Sequence, residues 1–289
     1  MLDTNVMARY VPDSKTQRWI IISPVRNDRP TVAQKPTAYH VCPFCAGNEK
    51  ETPPELYRVG AGEPNTPGWD VRVVPNKYPI TDIHEVVIHS PSDTADVDTL
   101  PVFQVQKIFS VYRDRYRAHE MDGQVLIFCN HGLSAGASLK HPHSQLVVVP
   151  NQINLDALTL EPFKNIVEEY PLFTTYCPEF SQWPFETWIA PKTDGKKFSD
   201  VTDTELPELA NVVSRTLRKL SVVLKSPELL FKQVNEPFVF NYYIYHGKNW
   251  FIRIIPRSIH RAGFELGTGL NVNVIDPTEA AKQLQKVAV

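Results

Sequence analysis

The feature that most constrains the fold is an order of elements that the chain carries twice. His84-Glu85-Val86-Val87-Ile88 reads as a short strand ending at Ser90-Pro91, and Phe185-Glu186-Thr187-Trp188-Ile189 reads as another ending at Pro191. After the first, Val105, Ile108, Phe109, Tyr112 and Tyr116 recur at helical spacing. After the second, Leu206, Leu209, Val213, Leu217, Leu220 and Leu224 do the same. Each helix precedes two strand-like runs, Gln124 to Cys129 and His143 to Val149 in the first copy, Phe238 to Tyr245 and Trp250 to Ile255 in the second. Pro150 closes one copy and Pro256 the other. Single strands and helices of this length are common in any protein. A shared order at nearly one offset is not, and it points to duplication.

The expected architecture is therefore α+β: two tandem half-motifs forming an antiparallel sheet with helices packed on it. Residues 1–150 make the N-terminal half and residues 151–289 the C-terminal half, with Asn151 to Leu172 linking them. Asp276 as N-cap, Pro277 at the first helical position and Glu279 at the third announce a last helix.

The two copies differ in what their final strands carry. The first has His141-Pro142-His143-Ser144-Gln145, the second Gly247-Lys248-Asn249-Trp250-Phe251, so the reactive side chains belong to the first half. Alternation along a strand puts His141, His143 and Gln145 on one side, successive members roughly 6.5 to 7 Å apart. That spacing suits a phosphate held between His143 and Gln145. A neutral imidazole is available near pH 7 to attack phosphorus, and an amide can donate to a phosphoryl oxygen without a titratable proton. Two histidines on a strand would ordinarily be an accident of a polar face. Here the loop before them, Asn130-His131-Gly132-Leu133-Ser134-Ala135-Gly136-Ala137-Ser138, changes the balance. Small residues let backbone N–H groups approach an anion, and Ser134 and Ser138 add hydroxyls.

Cys42-Pro43-Phe44-Cys45 has the spacing of a metal knuckle, two thiolates able to share one tetrahedral zinc. A redox pair would need a thioredoxin-like βαβ context, which the pattern does not offer. With Cys129 and Cys177 far away, further ligands must come from elsewhere, and His141 is the best candidate. Such a site would be structural, anchoring the strand two residues from the nucleophile. Arg26 and Arg29 lie in a loop that could meet phosphate oxygens or simply be solvated. Gly263-Phe264-Glu265-Leu266-Gly267-Thr268-Gly269 reads equally as a binding loop or a tight turn.

A net charge of −2 gives no global field for a nucleic-acid backbone. No apolar run approaches the roughly 18 residues of a membrane span, and Met1 to Tyr10 shows no secretory signal. Together with the cysteine usage, these features lead to an expectation of a reduced, cytoplasmic setting.

At this point the residues match a known family. The chain resembles the galactose-1-phosphate uridylyltransferases and the related ADP-sugar phosphorylases, a branch of the histidine-triad superfamily. The resemblance rests on Arg18-Trp19-Ile20-Ile21-Ile22-Ser23-Pro24 with Arg29-Pro30, CPFC at 42–45, Val74-Pro75-Asn76-Lys77-Tyr78-Pro79, HEVVIHSP at 84–91, the small-residue loop, HPHSQ at 141–145, Pro184-Phe185-Glu186 and GFELGTG at 263–269. It implies two histidine-triad-like halves and a two-step exchange. His143 would take UMP from UDP-glucose as a covalent uridylyl-histidine, releasing glucose 1-phosphate, and pass it to galactose 1-phosphate. Gln145 would steady the transferred phosphate; Arg29, Asn76, Asn130, Gly136 and Ser138 would contact the nucleotide and its phosphates. Phe264 and Glu265 match a sugar-binding segment that relatives contribute across a homodimer interface.

The resemblance also implies one zinc per chain on Cys42, Cys45 and His141. Where the family has a histidine as third ligand this sequence has Asp93, so Asp93 is the expected ligand, with His84 and His89 as substitutes. A second metal seen in some relatives is not expected, because Cys177 stands alone and Asn249 occupies a histidine position. Two rival readings share much of this ground: an ADP-sugar phosphorylase passing AMP to phosphate through the same histidine, and a silent zinc-stabilised nucleotide binder. HPHSQ and GFELGTG look closer to the phosphorylase branch. Intact His143 and Gln145 weigh against the silent binder.

Overall fold

The structure, a computed structural model, describes residues 8–13, 18–29, 42–155, 162–226 and 238–289. Pro30, Met1 to Met7 and part of the expected linker lie outside the described residues. A hairpin of β1 (Arg9–Pro12) and β2 (Trp19–Ile22) stands apart from a second, larger sheet. The first half of that sheet contains β3 (Tyr57–Gly60), β4 (Trp69–Pro75), β5 (His84–Ile88), helix α1 (Val102–His119), β6 (Gln124–His131) and β7 (His143–Val149). The second contains β8 (Ile166–Glu169), β9 (Phe173–Tyr176), β10 (Thr187–Pro191), helix α2 (Leu206–Leu224), β11 (Phe240–Ile244) and β12 (Ile252–Pro256). Two short helices follow, α3 (Gly263–Thr268) and α4 (Pro277–Lys286), the latter capped by Asp276 accepting from the Thr278 N–H at 2.8 Å.

The ten strands run β3-β4-β5-β7-β6-β11-β12-β10-β9-β8, every recorded pairing antiparallel. Strands β5-β7-β6 on one side of the centre are mirrored by β10-β12-β11 on the other. The seam is β6 against β11, with Asn130 opposite Asn241. The proposed units, 1–150 and 151–289, thus share one sheet. The duplicated order read from the sequence appears as this near-symmetry. Its second copy begins two residues later than expected, at Thr187, because Phe185 takes a left-handed turn (φ 57°).

Alternation along the strands explains the layers. Val87, Val125, Ile127, Leu146, Val148, Tyr242, Ile244, Ile252 and Ile254 pack with the apolar faces of α1 and α2 in one buried cluster. All the helical positions picked out by their spacing are buried in it. By the same alternation His84, Asn130, His143, Gln145 and Asn241 turn to the opposite face, which among the described residues carries no long helix. The candidate site residues sit there. Among the described residues no helix is long and apolar enough to cross a membrane.

Candidate functional site

His143 opens β7 and is 7 % exposed. Its Nδ1 lies 2.7 Å from the carbonyl oxygen of His141. A carbonyl can only accept, so Nδ1 carries the proton and Nε2 keeps its lone pair. Burial lowers the pKa of the ring, and the charge of Arg29 pushes the same way against the His141 carbonyl. The imidazole is therefore neutral near pH 7.

Two cavities share His143 and Leu139. One, of about 200 Å³, is lined by Arg29, Phe44, Asn76, Ser138 and Gln145 among others. The larger, of about 560 Å³, is lined by Asn130, His131, Gly132, Lys140 and His141, with Asp93 and Asp96 at its acidic side. The His143 ring is therefore reachable from both cavities.

The loop after β6 lies against this junction. Gly132 (φ 85°) and Gly136 (φ 87°) adopt left-handed conformations that favour glycine. Arg29 Nη2 reaches the Ser138 hydroxyl at 3.0 Å and the Gly136 carbonyl at 3.4 Å, bridging more than a hundred residues of sequence. Arg26, expected as a possible phosphate ligand, instead donates to the Tyr78 carbonyl at 2.9 Å and fixes the 76–80 loop.

Two residues of the second half, Asn241 and Arg257, support the first, and no sequence motif marks either. Asn241 donates to Asn130 Oδ1 at 2.8 Å and to the Ala135 carbonyl at 2.9 Å, while its own Oδ1 accepts from Arg257 Nη1 at 3.1 Å. Arg257 can only donate, so the orientation of Asn241 is forced, and with it that of Asn130, whose amide nitrogen is left to serve as a donor. The signal was available in the repeat, since the two asparagines stand opposite each other across its seam.

Cys42, Cys45 and His141 bring their ligand atoms within 4.8 Å of one another. Each sulfur lies 3.4 to 3.5 Å from His141 Nδ1. Zinc bonds of about 2.3 Å to sulfur and 2.0–2.1 Å to nitrogen would set a sulfur–nitrogen edge of about 3.6 Å, so the donors already have tetrahedral spacing. His141 Nε2 donates to the Ser90 carbonyl at 2.8 Å, which leaves Nδ1 as the ligating atom. Burial raises the Cys45 thiol, and the neighbouring Cys42 and Asp93 raise it further, to about 11; a cation would relieve that repulsion. The residues fit a metal ion.

His141 is not on the strand, as the alternation argument assumed. It sits in the bend before β7, and Pro142 intervenes with its carbonyl accepting from the His89 N–H at 3.1 Å. Asp93 is close enough to act on Cys45 electrostatically, but its carboxylate stands outside the three-atom group. The substitutes His84 and His89 are engaged elsewhere. His89 Nε2 lies 2.9 Å from the Tyr112 hydroxyl and 3.1 Å from that of Ser144. His84 bonds the Ile80 N–H and Gln145. Phe264 and Glu265 lie on α3 and line neither cavity; Phe264 is 55 % exposed and Glu265 accepts from the Ala262 N–H at 2.9 Å.

A duplicated antiparallel α+β sheet, with a tautomer-fixed histidine beside a Cys₂His group that could hold a metal, is a histidine-triad-like arrangement. Residues 81–149 match the family described as galactose-1-phosphate uridyl transferase, N-terminal domain. The chain is 29 % identical to ADP-glucose phosphorylase of Arabidopsis thaliana over 96 % of its length and 92 % of that protein's. It is 25 % identical to galactose-1-phosphate uridylyltransferase of Thermotoga maritima over 97 % and 98 %. The crystal structure of the Arabidopsis thaliana ADP-glucose phosphorylase with bound ADP-glucose superposes with a TM-score of 0.73 at 26 % identity, covering 98 % of this chain and 100 % of that one. The chain is thus similar over nearly its whole length to ADP-glucose phosphorylase and to galactose-1-phosphate uridylyltransferase, and residues 81–149 carry the match to the latter's N-terminal domain.

Proposed function

We propose that the chain is a nucleotidyl transferase acting on sugar 1-phosphates, with His143 as the covalent nucleophile. The observation that carries this reading is the His143 Nδ1 to His141 carbonyl bond of 2.7 Å, which leaves the Nε2 lone pair where two cavities meet. Nε2 attacks the α-phosphorus of a nucleotide sugar; the P–N bond forms as the bond to the sugar-phosphate oxygen breaks. Sugar 1-phosphate leaves, and a second phosphate later takes the nucleotidyl group and restores the free ring. Gln145 donates to the phosphoryl oxygens. Arg29, Asn76, Asn130, Gly136 and Ser138 bind the nucleotide and its phosphates. Phe264 and Glu265 would serve the sugar of a second copy in a homodimer, in keeping with the exposed apolar run of Phe264, Leu266 and Leu270 around them.

Two donors fit. The motifs support uridylyl exchange between UDP-glucose and galactose 1-phosphate. Identity over nearly the full length of an ADP-glucose phosphorylase supports adenylyl transfer from ADP-glucose instead. A zinc ion on Cys42, Cys45 and His141 would supply structural anchoring; the chain's own carbonyl at His141 fixes the proposed nucleophile.

Incubation with UDP-glucose or ADP-glucose followed by intact mass tests the reading. A gain of one UMP or one AMP is expected and names the base. His143→Ala should abolish the adduct, and full adduct in that variant would overturn the mechanism.

A further inference from the structure

Gln145 is useful to a phosphoryl group only one way round. Its –NH₂ can donate to an anionic oxygen, whereas its carbonyl oxygen would repel one. The two ends are nearly isosteric, so something other than shape must choose between them. The neighbouring β5 and the loop before it make that choice.

The sequence of constraints begins at two backbone amides, which can only donate. The Ile80 N–H points at His84 Nδ1 at 2.9 Å. Nδ1 must then be the accepting nitrogen, and in the neutral ring the proton lies on Nε2. A proton on Nδ1 would set two N–H groups against each other. His84 Nε2 stands 2.9 Å from Gln145 Oε1, a buried contact. The Tyr78 N–H donates to Asn76 Oδ1 at 2.8 Å, so Asn76 Nδ2 is the amide nitrogen, and it lies 3.3 Å from the same Gln145 oxygen. Asn76 Nδ2 and His84 Nε2 are 3.1 Å apart, as two donors converging on one acceptor are. Burial, aided by the charges of Arg26 and Arg29 and opposed by the Gln145 bond, brings His84 down to about 4, so the ring is neutral at pH 7.

Gln145 Nε2 has no hydrogen-bond partner among the described residues, and the residue lines the 200 Å³ cavity beside His143. The loop that supplies both backbone amides is itself tied down, the Ser23 hydroxyl donating to the Pro79 carbonyl at 2.8 Å and Arg26 to that of Tyr78.

We infer that His84 is a positioning residue for nucleotidyl transfer: as the Nε2–H tautomer fixed by the Ile80 amide, it holds the oxygen of Gln145 and so presents the Gln145 –NH₂ to the phosphoryl group. Asn76 shares that oxygen and reinforces the choice. This deepens the proposed reaction and depends on it for its kinetic consequence, but the tautomer is a property of the resting protein. Removing a donor aimed at transition-state charge outright costs about 10²–10³ in rate. Losing only its orientation, with the group still present, should cost about tenfold.

The experiment has two arms on the full chain. Long-range ¹H–¹⁵N spectra at pH 7, with the His84 signals assigned by their loss in His84→Gln, should show a neutral ring protonated on Nε2. The Gln145 side-chain amide signals should move in His84→Phe. Single-turnover formation of the nucleotidyl-enzyme from ADP-glucose or UDP-glucose is the second arm. His84→Phe should slow the saturating rate about tenfold with little change in half-saturation, and His84→Gln, whose amide can donate near the Nε2 position, should regain most of the loss. In a Gln145→Ala background, adding His84→Phe should change the rate less than about twofold, because coupled residues are not additive. An Nδ1-protonated ring, or an equal His84→Phe effect in both backgrounds, overturns the inference. Where His84→Phe does not fold, the tautomer of the native protein and the His84→Gln kinetics decide it. A wild-type protein that forms no adduct defeats the proposed reaction instead, and the tautomer and Gln145 shifts still decide the positioning.

Discussion

Asn241 offers the sharpest test of the claim that the degenerate half supports the reactive one. Asn241→Ala removes two donated bonds, to Asn130 Oδ1 at 2.8 Å and the Ala135 carbonyl at 2.9 Å, and one accepted from Arg257 at 3.1 Å. Each such bond contributes about 0.5–1.5 kcal/mol net. All three are only partly buried, so water replaces some of the loss, and about 2 kcal/mol is expected. With a urea dependence of roughly 3 kcal/mol per M, the unfolding midpoint should fall by about 0.7 M. The loop Gly132–Gly136 and the Asn130 amide lose their tether, and single-turnover adduct formation should slow roughly ten- to a hundredfold, the scale of a misplaced binding group. Tryptophan fluorescence in urea and intact mass against time measure the two effects. An adduct rate equal to wild type, in a variant destabilised as stated, would refute the view that the second half orients the Gly132–Gly136 loop.

Burial drives His84 down to about 4 and His89 to about 3. Below pH 6.5 the unfolded rings take up protons that the folded ones refuse, so stability is fully present above that value and falls as pH drops toward the folded ones, by up to about 1.4 kcal/mol per pH unit for each ring. His84→Gln should flatten the dependence of the urea midpoint on pH between 6.5 and 5, and an unchanged slope would contradict the burial argument. Cys42→Ser should lose bound metal and much soluble yield, because a structural site contributes its binding free energy to folding. Metal analysis showing undiminished zinc in that variant would exclude Cys42 as a ligand.

Most of the sheet was legible because burial on two periods writes itself into sequence. Leu206, Leu209, Val213, Leu217, Leu220 and Leu224 had to form one helical face, and His143 to Val149 had to be a strand with Pro150 after it. The proposed nucleophile, the amide two residues on and the cysteine pair were legible for the same reason, since their spacing is local. Position His141 was read with the right partners and the wrong backbone, because a bend and a strand differ by hydrogen bonds the sequence does not display.

What the sequence determined by itself was the duplicated order of elements and the half that carries the candidate site residues, His143 and Gln145 among them. Tertiary structure alone decided which ring nitrogen is free, which way the amides of Asn130 and Gln145 turn, and that Arg29, His84 and Asn241 gather around them from distant segments. Orientation and tautomer depend on which donor or acceptor stands about 3 Å away, and in an antiparallel sheet that neighbour is set by register with another strand.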